Sequence, residues 1–221
     1  MDLTFIFTVA PPILIAYYIY QKDLYDKEPG KVIVKCFLYG ILIAIPVAIL
    51  ELFVIYTEIF AQNIFLFSLL GVALIEEGGK FFVLMKYPFK LKDFNEPYDG
   101  ILYSAVIGLG FATIENILYV YNSGGIDLAI GRMISAIPAH AAFGILMGYF
   151  VGLAKFDLNN GNRLAITGLI IATLTHCLYN YFLFINKYLI FTVIILIVAL
   201  YFSKIAIKTH QQNSPFKDQK N

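Results

Sequence analysis

Long apolar stretches alternate with short polar ones along the whole chain. A helix that crosses a membrane needs about 20 mostly apolar residues, and seven stretches meet that length. Each must be helical, because an isolated strand cannot satisfy its backbone polar groups in lipid. The pattern therefore predicts an all-α, polytopic transmembrane helix bundle of about seven spans, at residues 3–20, 33–56, 64–86, 99–121, 131–153, 164–185 and 188–206.

The composition excludes most other classes of protein. Of 221 residues, 60% are hydrophobic and only 14% are charged, whereas soluble domains carry about a quarter charged residues. The formal net charge is +1 and no basic patch is present, so nucleic acid is not expected as a partner. We expect a multi-pass protein of the cell membrane, with the lipid bilayer as its surroundings.

The chain leaves no room for a second domain and contains no obvious internal repeat. Residues 1–221 are therefore interpreted as a single integral membrane domain. The first stretch, from Met1 to Tyr20, has no basic leader and no small-residue cleavage site, so we read it as a retained span rather than a signal peptide. The polar segment at about 209–221 is predicted to be a disordered tail.

The basic residues of the short loops predict the orientation. Cytoplasmic loops of membrane proteins are enriched in Lys and Arg. Thirteen of these residues fall on one side of the predicted bundle, whereas the other side has only Arg132 and Lys187. The asymmetry places the N-terminus outside and the C-terminus in the cytoplasm.

Three charged residues interrupt the third predicted span, in the sequence LIEEGGKFF. A charged group near the bilayer centre costs about 2.5–3.5 kcal/mol on insertion scales, so these side chains should face a protein interior or a water-filled cavity. Glu76 and Lys80 are four residues apart and share a helix face, where they can pair. Glu77 points about 100° away, and its own helix offers it no obvious cation.

The next three spans carry polar groups at a similar depth. At about 1.5 Å per residue, they lie roughly 8–18 Å below the predicted outer surface. His140 is placed about ten residues from the outer start of its span, within a small-residue seam typical of close helix packing. Any one of these groups could serve packing alone, but together they predict one intramembrane site, formed by Glu76, Glu77, Glu115, His140 and His176, with Lys80, Asn116 and Asn180 in support.

Glutamate and histidine converging in a wet intramembrane pocket can activate water. A buried carboxylate beside a lysine can serve as a general base, and histidine or asparagine can stabilise an oxyanion. The chain has no GxSxG, GxGD or HExxH sequence, which disfavours serine, aspartyl and zincin-type proteases. Two other classes stay open on these residues: a membrane transporter or proton-coupled carrier with a Glu/Lys/His site, and a scaffold whose polar groups join helices.

Short motifs cover most of the chain and are similar to those of a known family. They are KDLYDKEP at 22–29, EExxK from Glu76 to Lys80, EPYDGILYSAVIGLGFATIENILY at 96–119 with its FxxxE at Phe111 and Glu115, HxxxG at His140 and Gly144, and the last histidine of the spans, His176. In these positions the chain resembles the PrsW family of intramembrane proteases, which is related to the CPBP/Abi membrane proteases and their CaaX-type members.

Two positions depart from the related patterns. Asn180 stands where some PrsW-like sequences carry Asp, although it agrees with the His-x-x-x-Asn of CaaX-type relatives. Glu115 replaces the His of the CaaX-type FxxxH motif, which makes a CaaX-like substrate less expected.

The resemblance implies a site-1 protease that cuts a single-pass, membrane-anchored anti-sigma factor on its extracytoplasmic side, as part of a stress response. By the same resemblance, Glu76 and Glu77 are catalytic, Glu115 helps to activate water, and His140 and His176 bind a metal or stabilise the oxyanion. Glu76, Glu115, His140 and His176 are the candidate metal ligands. Zinc and a metal-free, glutamate-dependent mechanism both remain open, since the spacing matches no zinc signature.

Overall fold

The computed structural model describes residues 3–219, and its described part is an all-α bundle without a β-strand. Two long helices come first, α1 (Leu3–Gln21) and α2 (Gly30–Thr57). A third, interrupted helix follows, which consists of α3 (Ile64–Leu66), a π-helical segment (Phe67–Ala73) and α4 (Leu74–Lys86). The remaining helices are α5 (Pro97–Tyr119), α6 (Gly125–Ile134), α7 (Ala136–Phe156), α8 (Gly161–Ile185) and α9 (Leu189–Gln212).

Six helical segments of the described chain are long and apolar enough to cross a membrane, which supports a multi-pass membrane protein. The sequence predicted about seven spans, so one predicted span does not meet these criteria of length and composition. The third predicted span, 64–86, is helical throughout, but the π-helical segment divides it and three charged residues lower its hydropathy. The break lies before the carboxylates and not at Gly78–Gly79, since α4 runs through both glycines as a regular α-helix.

The fifth predicted span, 131–153, is in fact parts of two helices. Ser135 leaves the helical conformation with φ −123° and ψ −70°. Pro138, three residues later, has no N–H to donate to the carbonyl of Ile134, so a continuous helix would lose a hydrogen bond there. As a result α7 begins at Ala136, and His140 lies four residues into its helix instead of ten.

The centre of the bundle is α5, whose side chains are buried over most of its length. It packs against α1, α2 and α7, and glycines permit the approach to α7. A Cβ added at Gly100 would lie 2.5 Å from the Gly148 carbonyl oxygen, and one at Gly144 would lie 2.8 Å from Ala105 Cα. The small-residue face of α7 therefore contacts α5 directly, and holds His140 next to the helix that carries Glu115.

The polar C-terminal segment is more ordered than predicted. Helix α9 continues to Gln212, and a short 3-10 turn follows at Lys217–Gln219. His210 is fully buried, stacks on the ring of Tyr149 with centroids 4.4 Å apart, and donates from Nε2 to the Tyr149 carbonyl. The prediction of a disordered tail from about residue 209 is therefore wrong for 209–212, and residues 220–221 lie outside the described part.

Candidate active site

The predicted polar residues come together in one buried group, which we call the Glu/His cluster. Helix α4 supplies Glu76, Glu77 and Lys80, and one residue each comes from α5, α7 and α8: Glu115, His140 and His176. All but Glu115 are at least 96% buried. The cluster lies nearer the end of the bundle where α5 and α8 end and α7 begins, which is the predicted outer end.

The ammonium group of Lys80 is the centre of the cluster. Nζ lies 3.0 Å from Glu76 Oε2, 2.8 Å from Glu77 Oε1 and 3.1 Å from His140 Nδ1. It also lies 4.2 Å from the centroid of the Phe111 ring, a cation–π contact. The expected Glu76–Lys80 pair is present. The expectation that Glu77 finds no cation on its own helix is wrong, because Lys80 reaches it at a spacing of three residues.

The contacts of Lys80 determine the tautomer of His140. Because an ammonium group can only donate, His140 Nδ1 accepts, and the ring proton of the neutral imidazole is on Nε2. Nε2 lies 2.6 Å from Glu115 Oε2 and donates to it. His140 therefore connects Lys80 to Glu115 across three helices.

His176 has the opposite arrangement. Its Nδ1 lies 2.9 Å from Glu77 Oε1 and donates to that carboxylate. Its Nε2 then carries the lone pair and accepts a hydrogen bond from Asn180 Nδ2 at 3.0 Å. The ring stacks on Phe143, with centroids 4.7 Å apart and an interplanar angle of 19°. The predicted His176–Asn180 pair on one helix face is thus formed, and it holds a ring whose second nitrogen is an acceptor.

Sequence reasoning gave Arg132 no role beyond its contribution to the loop charges. Arg132 Nη2 lies 2.8 Å from Glu115 Oε1, and Nε donates to Asn116 Oδ1. Asn116, predicted as a supporting residue, therefore contacts Arg132 rather than the centre of the cluster. Arg132 could have been found as one of only two arginines in the chain, eight residues before His140.

Sequence reasoning also missed Glu51. This carboxyl group comes from α2 and is close enough to interact electrostatically with Glu76, Glu115 and Lys80. Its Oε1 is buried without a hydrogen-bond partner. The signal was present, since Glu51 is a charged residue within the predicted second span.

A cavity of about 80 Å³ reaches the cluster. Glu76, Glu115, His140 and His176 line it, together with Arg132. At roughly 30 Å³ of liquid volume per molecule, the cavity has room for about two to three waters. Glu77 and Lys80 are not in its wall, so they act on the cavity through their neighbours.

The cluster contains two groups of candidate metal ligands. Glu76, Glu115 and His140 offer ligand atoms within 4.8 Å of one another, and so do Glu76, Glu77 and His176. Lys80 engages Glu76 Oε2 and His140 Nδ1, which leaves Glu76 Oε1 free of its contact. His140 Nε2 could bind an ion only by giving up the proton that it donates to Glu115. Carboxylate oxygen and imidazole nitrogen are zinc ligands, so the donor set fits such an ion.

Comparisons with known proteins identify the family of the chain. Residues 28–206 match a family described as PrsW family intramembrane metalloprotease. Protease PrsW of Oceanobacillus iheyensis is 36% identical over 198 residues, which cover 87% of this chain and 91% of that protein. Protease PrsW of Geobacillus kaustophilus is 35% identical over 175 residues, 79% of this chain and 77% of that protein.

Protease PrsW of Bacillus subtilis is 34% identical over 176 residues, which cover 79% of this chain and 80% of that protein. No solved structure matches the chain. Because the family model matches residues 28–206 and these relatives are at least 34% identical over most of both chains, the chain belongs to the PrsW family of intramembrane proteases.

Proposed function

We propose that this protease makes the first cut in a single-pass, membrane-anchored anti-sigma factor, on the extracytoplasmic side, with water activated by the Glu/His cluster. The observation that carries the proposal is the convergence of Glu76, Glu115, His140 and His176, from four helices, on one small cavity. The cavity lies toward the predicted outer end, where an extended outer segment of a substrate can reach it.

Glu76 is the proposed general base, because it is a carboxylate in the cavity wall. Its Oε2 is paired with Lys80, which leaves Oε1 to accept a proton from water. The water oxygen then bonds to the carbonyl carbon of the peptide, and the proton held by Glu76 passes to the departing amide nitrogen. The products are a carboxylic acid and an amine, which balances the hydrolysis.

The buried members of the cluster prepare this step. Lys80 keeps Glu76 and Glu77 compensated by a positive charge, without which two buried carboxylates would be very costly. Glu77 accepts a hydrogen bond from His176 Nδ1, so Nε2 of the neutral ring is the acceptor nitrogen. Asn180 donates to this nitrogen, and a water or the departing amine can donate to it only by replacing Asn180.

The family description as a metalloprotease adds a second element to the proposal. Glu76, Glu115 and His140 would hold a zinc-type ion, or Glu76, Glu77 and His176 would do so. When bound, such an ion supplies Lewis acidity and lowers the pKa of water. With an ion bound, Glu76 would be a ligand and not the base. Because it belongs to both ligand groups, its loss is expected to abolish cleavage with either mechanism.

The test is co-expression of the protease with a single-pass reporter tagged on both sides of its span. Wild type should produce two fragments, and mass spectrometry should place the cut outside or just beneath the outer interface. Glu76→Gln should reduce cleavage by at least about 100-fold. Glu58→Gln, at an exposed residue that follows α2, is the matched control and should cleave normally.

Three results would contradict the proposal in whole or in part. A scissile bond in the cytoplasmic segment would refute the predicted orientation together with the shared site. Normal cleavage by Glu76→Gln would remove this carboxylate from the reaction. An anti-sigma factor that stays intact with the active wild-type enzyme would reject that substrate class alone.

A further inference from the structure

Arg132 is carried by α6, a short helix at the predicted outer end of the bundle. The exposed side chains of Ile126, Ile130 and Ile134 lie along one face of this helix, whereas Ala129 is buried. In a membrane protein the exposed apolar face is directed toward lipid, so the side chain of Arg132, largely buried at 13% exposure, is directed into the bundle. The position of α6 thus places the guanidinium group of Arg132 at the cavity.

The contacts of Arg132 hold it beside the reacting centre. It pairs with Glu115, donates from Nε to Asn116, and lies over the ring of Tyr119, with Cζ 4.3 Å from the centroid. It lines the same cavity as Glu76. Guanidinium is charged at every accessible pH and presents several N–H donors in a rigid plane.

The other cation of the cluster has no donor to spare. Lys80 has three N–H bonds, and its Nζ already contacts Glu76, Glu77 and His140. A negative charge that develops on a substrate oxygen could recruit Lys80 only by breaking one of these contacts. Of the two cations in the described cluster, Arg132 is the one with unused donor capacity.

Arg132 and Asn116 each have a buried donor nitrogen without a hydrogen-bond partner. Arg132 Nη2 is 2.8 Å from Glu115 Oε1 but is not aligned for a hydrogen bond, and it is buried without any other hydrogen-bond partner. Asn116 Nδ2 is also buried without a partner. Buried donors are rarely left unsatisfied. Arg132 lines the cavity, so a group that forms there only during the reaction would satisfy its donor.

We propose that Arg132 is a catalytic residue that binds the oxyanion, with Asn116 as the residue that positions its guanidinium group. This inference rests on the proposed hydrolysis. As the water oxygen bonds to the carbonyl carbon and its proton passes to Glu76, the π electrons of the C=O bond move onto the carbonyl oxygen. The negative charge on that oxygen is then met by the Arg132 N–H donors. Such donors act most strongly in a site that excludes bulk water.

The experiment uses the full chain in lipid nanodiscs and a fluorogenic peptide that contains one transmembrane helix and an extended outer flank. Arg132→Gln should lower kcat by roughly 100- to 1,000-fold with little change in KM. Arg132→Lys should recover part of the loss, because lysine retains the charge but not the planar fork. Arg163→Gln alters the chain's other arginine, an exposed residue far from the cluster, and should behave as wild type.

Chemical rescue separates catalysis from packing. Added methylguanidinium should raise the activity of Arg132→Ala by at least about tenfold, and should leave the activity of Arg163→Gln unchanged. A fall in thermal stability with no rescue, or a rise in KM equal to the fall in kcat/KM, would make Arg132 a structural residue and overturn the proposal. Full kcat in Arg132→Gln would do the same.

A competing donor is tested in parallel. Tyr179 also lines the cavity and offers a neutral hydroxyl, so Tyr179→Phe is compared with Arg132→Gln. A large loss of kcat confined to Tyr179→Phe would assign the oxyanion to the phenol and overturn the inference. A wild-type enzyme that cleaves no peptide would overturn the proposed function itself, and an active wild type with an active Arg132→Gln variant would overturn only the inference.

Discussion

Two groups of buried carboxyl side chains lie at opposite ends of the bundle, and their charges are handled in opposite ways. The Glu/His cluster lies toward the predicted outer end. A second group, which we call the acidic cluster, consists of Asp23, Glu28, Glu96 and Asp99, all at most 3% exposed. It lies where α1 meets α2 and where α5 begins, at the predicted inner end.

The Glu/His cluster is compensated by cations. Lys80 pairs with Glu76 and Glu77, and Arg132 pairs with Glu115. The two neutral histidines each donate one hydrogen bond to a glutamate, His140 to Glu115 and His176 to Glu77. A carboxylate compensated in this way stays ionised inside the protein, which is the state a base or a metal ligand requires.

Three members of the acidic cluster have no such ion pair in the described part of the chain. Within residues 3–219, no salt bridge to Lys or Arg involves Glu28, Glu96 or Asp99. Tyr103 donates its hydroxyl to Glu28, and Asp99 Oδ2 accepts from the backbone of Glu96 at 2.8 Å in a capping box at the start of α5. These contacts fix the loops to α5 without supplying a positive charge.

The absence of an ion pair affects the pKa of the two members that lie in loops, Glu28 and Glu96. Burial, followed by the charges of Asp99 and Asp23, raises the pKa of Glu28 to about 10. Burial is also the main reason why the pKa of Glu96 is raised to about 7. A buried carboxyl group without a cation thus retains its proton and is suited to packing. An ion pair with Lys or Arg therefore distinguishes Glu76, Glu77 and Glu115 from Glu28 and Glu96.

The largest effect should follow from removing the central cation. Lys80→Met leaves Glu76 and Glu77 buried without compensation, and breaking such a buried pair costs about 3–5 kcal/mol. We expect loss of cleavage together with a marked fall in Tm, measured by thermal unfolding in detergent. Lys86→Met, at an exposed position on the same helix, is the control. A Lys80→Met variant as stable as this control would show that the cation is not what makes the Glu/His cluster tolerable.

A smaller effect on stability, but a large one on activity, is expected for Glu77→Gln. Gln keeps the shape of the side chain and can accept from Lys80 and from His176 Nδ1, so the fold should persist. The negative charge that holds both groups is lost, and cleavage should fall by about 100-fold or more. Glu28→Gln makes the same change in the acidic cluster and should leave cleavage unchanged. Equal activities of the two variants in the reporter assay would remove the functional distinction between the clusters.

Much of the fold could be predicted because spans are specified locally, by length and hydropathy. The features that the sequence did not predict depend on contacts with residues elsewhere in the fold. The π-helical segment Phe67–Ala73 has no local signature, and the break at Ser135 is indicated only by a proline three residues later. His210 looks like part of a polar tail in sequence, yet its ring finds a stacking partner in Tyr149 from another helix.

The site was predictable for the same reason that it is costly: charged residues in apolar spans are few. Glu76, Glu77, Glu115, His140 and His176 could be listed, but their connections could not. The contact between Lys80 and His140 joins residues 60 positions apart. Arg132 falls at the outer end of the predicted span 131–153, where it counts only as a charge near the surface, and the separate helix α6 brings it to Glu115.

The smallest expected effect concerns pH, and it tests the protonated state of the acidic cluster. Below about pH 4.5, the ordinary value for Glu, both folded and unfolded chains hold the Glu28 proton and its contribution does not change. Between 4.5 and about 10, only the folded chain holds it. Each unit of rising pH in this window therefore favours unfolding. Glu96 adds a similar contribution only up to about pH 7.

One proton held only by the folded chain corresponds to at most about 1.4 kcal/mol per pH unit, or roughly 3–5 °C in Tm for a chain of this size. Tm in detergent should fall from pH 5 to pH 9. In Glu28→Gln, the amide oxygen can still accept the Tyr103 hydroxyl while no proton can be released, so the slope should decrease. Because Glu28 still holds its proton above pH 7, where the Glu96 contribution ends, the difference between the two curves should persist to pH 9. Superimposable curves for wild type and Glu28→Gln would mean that Glu28 is already ionised in the folded protein, and that the acidic cluster has a source of positive charge after all.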